Sequence, residues 1–229
     1  MDKGELYDFF MRPLEVALLR RWRRRLWAPV RGPRVLELGS GTGANLPYHP
    51  EGVSVVALDR DPDYLRRARS RAAAGEVPPR TIRGCAENIP FRDGAFDEVV
   101  FSFLLCSVDD PSAALDEVYR VLHPGGRVHL LEHCRPRGPM GTIFSALAPT
   151  VRRRFGDRID GEPWRDLARA GFVVETVVGS GGGTLRLIVA RKPDPVAGDG
   201  KWRNDAGRGE AGDGVRGLSP DDFEEGCED

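Results

Sequence analysis

From residue 32 to residue 193, short apolar runs alternate with stretches of helical periodicity, the pattern of strands that reach the next strand through a helix. The runs at 34–38, 53–59, 80–85, 96–103, 127–132, 173–179 and 184–191 predict seven strands. Only Ser180-Gly181-Gly182-Gly183 separates the last two. That is too short for a crossover helix, so they are expected to pair as a hairpin. The predicted fold is α/β: a doubly wound seven-stranded sheet, mostly parallel with one antiparallel strand near its C-terminal end, and helices on both faces.

Helix starts follow from local chemistry. Asp61-Pro62 supplies an N-cap and a first-turn proline, with Leu65, Ala68 and Ala72 on one face. Asp110-Pro111 repeats the device ahead of Leu115, Val118 and Leu122, and that helix is expected to stop at Pro124-Gly125-Gly126. Upstream, residues 9–27 read as a helix with Leu14, Leu18, Trp22 and Leu26 at every fourth position, while Arg20, Arg21, Arg23, Arg24 and Arg25 crowd its second half. Such a helix suits a cap whose apolar stripe packs on the sheet while the arginines face water, and it also suits peripheral contact with an anionic membrane. The apolar-then-basic pattern recurs at 143–149 and 152–154.

Charge divides the chain further. The net charge of −1 hides an acidic, Gly-rich segment at 194–229, with eleven acids against four bases, behind a part that sums to +6. Its apolar residues are too scattered to offset the entropy of ordering, so 194–229 is expected to be a disordered tail beside a cap at 1–31 and a domain at 32–193. A charge of +6 without an aromatic-and-basic stripe argues against nucleic acid as partner. Cys85, Cys106, Cys134 and Cys227 form no C-x-x-C pair, and no zinc-ligand spacing occurs. No run approaches the roughly 20 apolar residues of a membrane span. A reduced cytoplasmic chain without a metal, at most membrane-associated, is therefore expected.

Chemistry concentrates at strand ends. Val35-Leu36-Glu37-Leu38 runs into Gly39-Ser40-Gly41-Thr42-Gly43. Such a turn lets backbone N–H groups approach a ligand, with Glu37 placed to accept from a cationic one. Gly39, Gly41 and Ala44 also satisfy a dinucleotide fingerprint, so the turn alone admits two cofactor classes. Asp59, with Arg60 beside it, closes the second strand at the distance where an acid accepts from both hydroxyls of a ribose. Charge-assisted hydrogen bonds of that kind are worth about 1.5–3 kcal/mol each. In an open parallel sheet the ligand lies beyond the carboxyl ends of the strands, which adds Cys85-Ala86-Glu87, Ser102 to Ser107 and Glu132-His133.

These blocks, together with Phe96-Asp97-Glu98-Val99-Val100 and Val121-Leu122-His123-Pro124-Gly125-Gly126, resemble the class I S-adenosylmethionine-dependent methyltransferases of the type 11 domain, over about residues 33 to 191. The resemblance implies a Rossmann-like sheet with S-adenosylmethionine as cofactor. It implies that Glu37, Gly39, Ser40, Gly41 and Gly43 hold the methionine part, Asp59 the ribose, and Ala86-Glu87 the adenine edge. Cys85 stands where many relatives have an acid, and Arg60, Cys85 and Ser102 are also expected among the cofactor-binding residues.

Leu104-Leu105-Cys106-Ser107-Val108, Leu131-Glu132-His133 and Gly161-Glu162-Pro163-Trp164 look like the microsomal small-molecule thiol methyltransferases. Tyr7-Asp8-Phe9-Phe10-Met11 resembles bacterial phospholipid and quinone methyltransferases, whose N-terminal segment closes over the cofactor. Tyr7, Phe10, Leu104, Leu105, Cys106, Glu132 and His133 are thus expected to line the pocket for a small apolar or lipid-like acceptor, a thiol, phenol or amine. His133 is the candidate base, because an unperturbed imidazole titrates near neutrality. A protein that binds the cofactor without catalysis is the alternative.

Overall fold

The computed structural model describes residues 15–73, 80–134, 142, 161–179 and 184–194. Tyr7, Phe10, Leu14, the basic segment at 143–154, the Ser180–Gly183 link and the tail from 195 onward lie outside the described residues.

Seven strands form one sheet in the order β3-β2-β1-β4-β5-β7-β6: β1 (Arg34–Leu38), β2 (Ser54–Asp59), β3 (Arg80–Arg83), β4 (Phe96–Ser102), β5 (Leu122–His133), β6 (Val173–Gly179) and β7 (Leu185–Arg191). Pairing is parallel from β3 through β5, and β7 runs antiparallel to both of its neighbours. The predicted strands and the hairpin of the last two are all present. The order reverses between β1 and β4, so a crevice opens beyond their carboxyl ends.

Two apolar cores occupy the two faces. On one, α3 (Pro111–Val121) contributes Leu115 and Val118 and α4 (Pro163–Arg169) contributes Leu167, packed on Leu36, Val99 and Leu130. On the other, a single π-helical turn (Glu15–Leu19) continues into α1 (Arg20–Trp27), whose Trp22, Leu26 and Trp27 cover Val35, Val100 and Leu131. α2 (Pro62–Ala72) buries Leu65, Ala68 and Ala72 as predicted. Asp61 accepts from the N–H groups of Asp63 and Tyr64, and Asp110 from those of Ser112 and Ala113, so both N-caps are made.

Three expectations are corrected. Leu18 is 41% exposed and Leu19 is buried in its place. The π turn spends more residues per revolution than an α-helix, which shifts the apolar stripe by one position. Arg23 is 6% exposed, so the arginines do not all face water, although Arg20, Arg21, Arg24 and Arg25 do. α3 ends at Val121 rather than at the Pro-Gly-Gly, which lies inside β5. A Cβ on Gly126 would stand 2.9 Å from the carbonyl oxygens of both Asp97 and His123. The glycine therefore serves a close backbone approach, beside a register irregularity between Phe96 and Glu98.

Candidate active site

A cavity of about 610 Å³ opens at the β1–β4 crevice. Its floor is the turn after β1. Gly39, Gly41 and Gly43 all have positive φ, at 67°, 55° and 81°. The left-handed region costs an L-residue roughly 1–2 kcal/mol, so glycine is what lets the chain turn this tightly. A Cβ on Gly41 would meet nothing within 4 Å, whereas one on Gly43 would meet Ala68 Cα at 3.1 Å. Gly41 thus faces the open cavity, and Gly43 permits the close approach of α2.

Asp59 ends β2 at the cavity wall. Its Oδ2 accepts the Gly41 N–H at 2.7 Å and its Oδ1 the Asp61 N–H at 2.9 Å. Each oxygen keeps acceptor capacity for a further donor. Burial is the largest influence on its pKa and raises it from the ordinary value, helped by the charges of Asp61 and Glu37, while the two backbone donors pull it down. Ser40 Oγ is buried in the same wall with no hydrogen-bond partner among the described residues. Arg60 and Ala86 complete this end.

Ser102, Leu104, Cys106 and His133 form the opposite end, with Phe103 and Leu19. Phe103 has a positive φ of 57° and its ring contacts that of His133, with centroids 4.6 Å apart and the planes tilted by 33°. Beneath this loop lies Glu132, 1% exposed, whose Oε1 accepts the N–H groups of Leu104 at 2.7 Å and Leu105 at 3.0 Å. Burial pushes its carboxyl up to about 7, against these backbone donors, which lower it. Glu132 therefore holds the loop rather than lining the cavity.

An open β1–β4 crevice with a three-glycine turn, an acid at the end of β2 and an aromatic loop after β4 is joined by a direct match: residues 36–130 fit the model of the methyltransferase domain. The chain is 37% identical over 162 residues to a demethylmenaquinone methyltransferase of Thermus thermophilus, covering 68% of this chain and 74% of that protein. It belongs to the S-adenosylmethionine-dependent methyltransferases. A thiol S-methyltransferase of Rattus norvegicus is 34% identical over 144 residues, covering 60% of this chain and 59% of its own length. The chain spans about six-tenths of the length of several such curated relatives. A solved methyltransferase from Thermotoga maritima shares the fold, with a TM-score of 0.65 at 23% identity over 83% of this chain and 96% of that one.

The residues present suit the cofactor of this methyltransferase family. The paired acceptor sites on Asp59 suit a ribose diol, the orphaned Ser40 hydroxyl awaits a polar partner, and the volume lies within the range of cofactor pockets. Among the described residues no cluster of metal-ligating side chains occurs.

Several expected site residues lie elsewhere. Glu37 is fully buried behind the turn. Its Oε1 accepts from Asn45 Nδ2 at 2.8 Å, and its Oε2 lies 2.8 Å from His49 Nε2, so its oxygens are already engaged within the protein. Glu87 accepts the Asp109 N–H instead of edging the cavity, and Leu105 belongs to the core. Cys85 lies in an isolated bridge with Asn88, and Cys106 stands in the cavity lining. Sequence reasoning missed Arg23 as a site residue and had Phe103 only as part of the Ser102 to Ser107 loop. An arginine on the apolar face was the available signal for the first.

Proposed function

We propose that the chain methylates a planar, apolar acceptor of the hydroquinone or phenol type. The observation that carries this reading is the Phe103–His133 ring pair, in contact and tilted by 33°, at the cavity end opposite Asp59, flanked by Leu19 and Leu104. Aromatic rings beside Leu19 and Leu104, with the Arg23 guanidinium 5.8 Å from the Phe103 centroid, suit a planar acceptor, since rings pack on one another at centroid distances of about 4.5–7 Å. The carboxylates among the described lining residues are Asp59 and Asp61, both at the β2 end, so none stands near the aromatic pair to hold an ammonium headgroup. That weighs against a phospholipid amine as acceptor.

S-adenosylmethionine, when bound, supplies a methyl group already activated on a sulfonium. What remains for the protein is placement, and effective molarities from good placement reach about 10⁵–10⁸ M. Asp59 and the Gly41 turn anchor the nucleoside end. Leu19, Leu104 and Phe103 exclude water and orient the acceptor ring. His133 takes the proton that the acceptor releases. The exposed arginines of α1 favour an acceptor carried at an anionic membrane. Trp22 and Trp27 are buried in the core, so α1 has no apolar face left to insert in a bilayer.

The test is a methyl-transfer assay of the purified chain with short-chain hydroquinones, alkyl and aryl thiols, and phosphatidylethanolamine vesicles. Turnover of hydroquinones is expected, with KM raised about tenfold or more by Phe103→Leu and kcat lowered by His133→Gln. Turnover confined to thiols or lipid amines, unaffected by either change, rejects the reading.

A further inference from the structure

Arg23 is 6% exposed, yet its nearest carboxylate belongs to its own helical segment. Nε donates to Glu15 Oε1 at 2.9 Å and Oε2 at 3.1 Å. Nη1 donates to Asn45 Oδ1 at 2.8 Å and to Ser102 Oγ at 3.0 Å. Nη2 has no hydrogen-bond partner among the described residues, and the side chain lines the cavity. Three of the five N–H donors are thus spent on fixing the fork, and the remaining two are free to meet a ligand. The fixing is firm, because Asn45 is itself 2% exposed and donates to the sealed Glu37.

Position gives the free end a meaning. Asp59 closes β2 and Ser102 closes β4, with β1 between them. Two inter-strand spacings put the Asp59 and Arg23–Ser102 ends roughly 10 Å apart, the reach of an amino-acid tail hung from a ribose. One end of the cavity is an anion suited to a diol. The other is a cation with an unspent planar amino group, the geometry that matches a carboxylate.

We propose that Arg23 recognises the α-carboxylate of bound S-adenosylmethionine, so that the N-terminal helix selects nucleosides carrying an intact amino acid. The inference rests on the methyl-donor reading of the cavity and is independent of the acceptor. Burying a guanidinium is costly unless it is paired, and the carboxylate completes the pairing that Glu15, itself partly exposed, begins. It also makes α1 part of the cofactor site. Cofactor binding and docking of the N-terminal segment then support each other.

The experiment is calorimetric titration of the full chain with S-adenosylmethionine and with its decarboxylated analogue. The wild type is expected to bind the carboxylated form about 10- to 100-fold more tightly. Arg23→Gln should lose that preference while its affinity for the decarboxylated form stays within about threefold, which also reports that the cavity is intact. Arg23→Lys, which keeps the charge without the fork, should fall between. Equal wild-type affinity for the two ligands overturns the proposal, as does a full preference retained in Arg23→Gln or a parallel loss of both ligands. Absence of wild-type binding to either ligand overturns the methyl-donor reading, and this inference with it.

Discussion

Replacing Asp59 by Asn tests the nucleoside end of the cavity. Each carboxylate oxygen already accepts one backbone N–H, from Gly41 and from Asp61, leaving one acceptor position per oxygen for the two ribose hydroxyls. Hydrogen bonds to a charged group contribute about 1.5–3 kcal/mol against about 0.5–1.5 for neutral ones. Losing the charge at two such bonds therefore costs about 2–3 kcal/mol, a weakening of Kd by roughly 30- to 150-fold. Two effects on the unliganded protein oppose each other. The new amide N–H must face either the Gly41 or the Asp61 donor, while a buried charge, whose pKa burial has raised, disappears. Tm is accordingly expected to move little.

Titration calorimetry with S-adenosylmethionine across pH gives the decisive curve. Because the Asp59 pKa is raised, the wild type should start losing affinity on acidification at a higher pH than an ordinary carboxylate would allow. Asp59→Asn should lack that acid limb. A folded Asp59→Asn protein with Kd within threefold of wild type, or with the same acid limb, refutes the assignment.

Gly41→Ala and Gly43→Ala should separate binding from stability. The first is expected to lower stability by about 1–2 kcal/mol through its left-handed backbone alone, yet to weaken cofactor binding at least tenfold because its methyl enters open cavity. The second adds contacts of 2.7 Å with Leu46 and 3.1 Å with Ala68, so chemical denaturation should show about 1–3 kcal/mol of further loss. Glu132 has its folded-state pKa raised from 4.5 to about 7, so between these values the folded state holds a proton that the unfolded chain gives up. Stability should fall by about 3 kcal/mol as pH rises through that window, and urea titrations of Glu132→Gln should lack this dependence. Asp110→Ala removes the cap accepting from Ser112 and Ala113 and should cost about 1 kcal/mol in thermal unfolding, with the Kd for S-adenosylmethionine unchanged.

Much of the site was legible because its signals are local. Asp61-Pro62 and Asp110-Pro111 cap the helices they precede with donors two and three residues on. The glycine turn and Asp59 stand at strand ends, where strand direction alone aims them at the crevice. His133 was proposed for the same reason, and the structure places it in the cavity lining with the Phe103 ring against it. Glu37 was misread because its strand-end position exposes it in the one-dimensional pattern. Only the chain returning through Asn45 and His49 seals it.

The amino-acid order by itself determined the alternation of strands and helices, the capped helix starts, the tight glycine turn and the acid that follows the second strand. Each depends on backbone preferences and on neighbours within a few residues. The tertiary structure decided which of five clustered arginines turns inward, which acid lines the cavity and which is sealed behind it. Arg23 meets Ser102 across 79 residues of chain, and the π turn sets the rotation of its helix. A local pattern does not encode such a pairing, because the free energy that selects it comes from burying Trp22, Leu26 and Trp27 against the sheet.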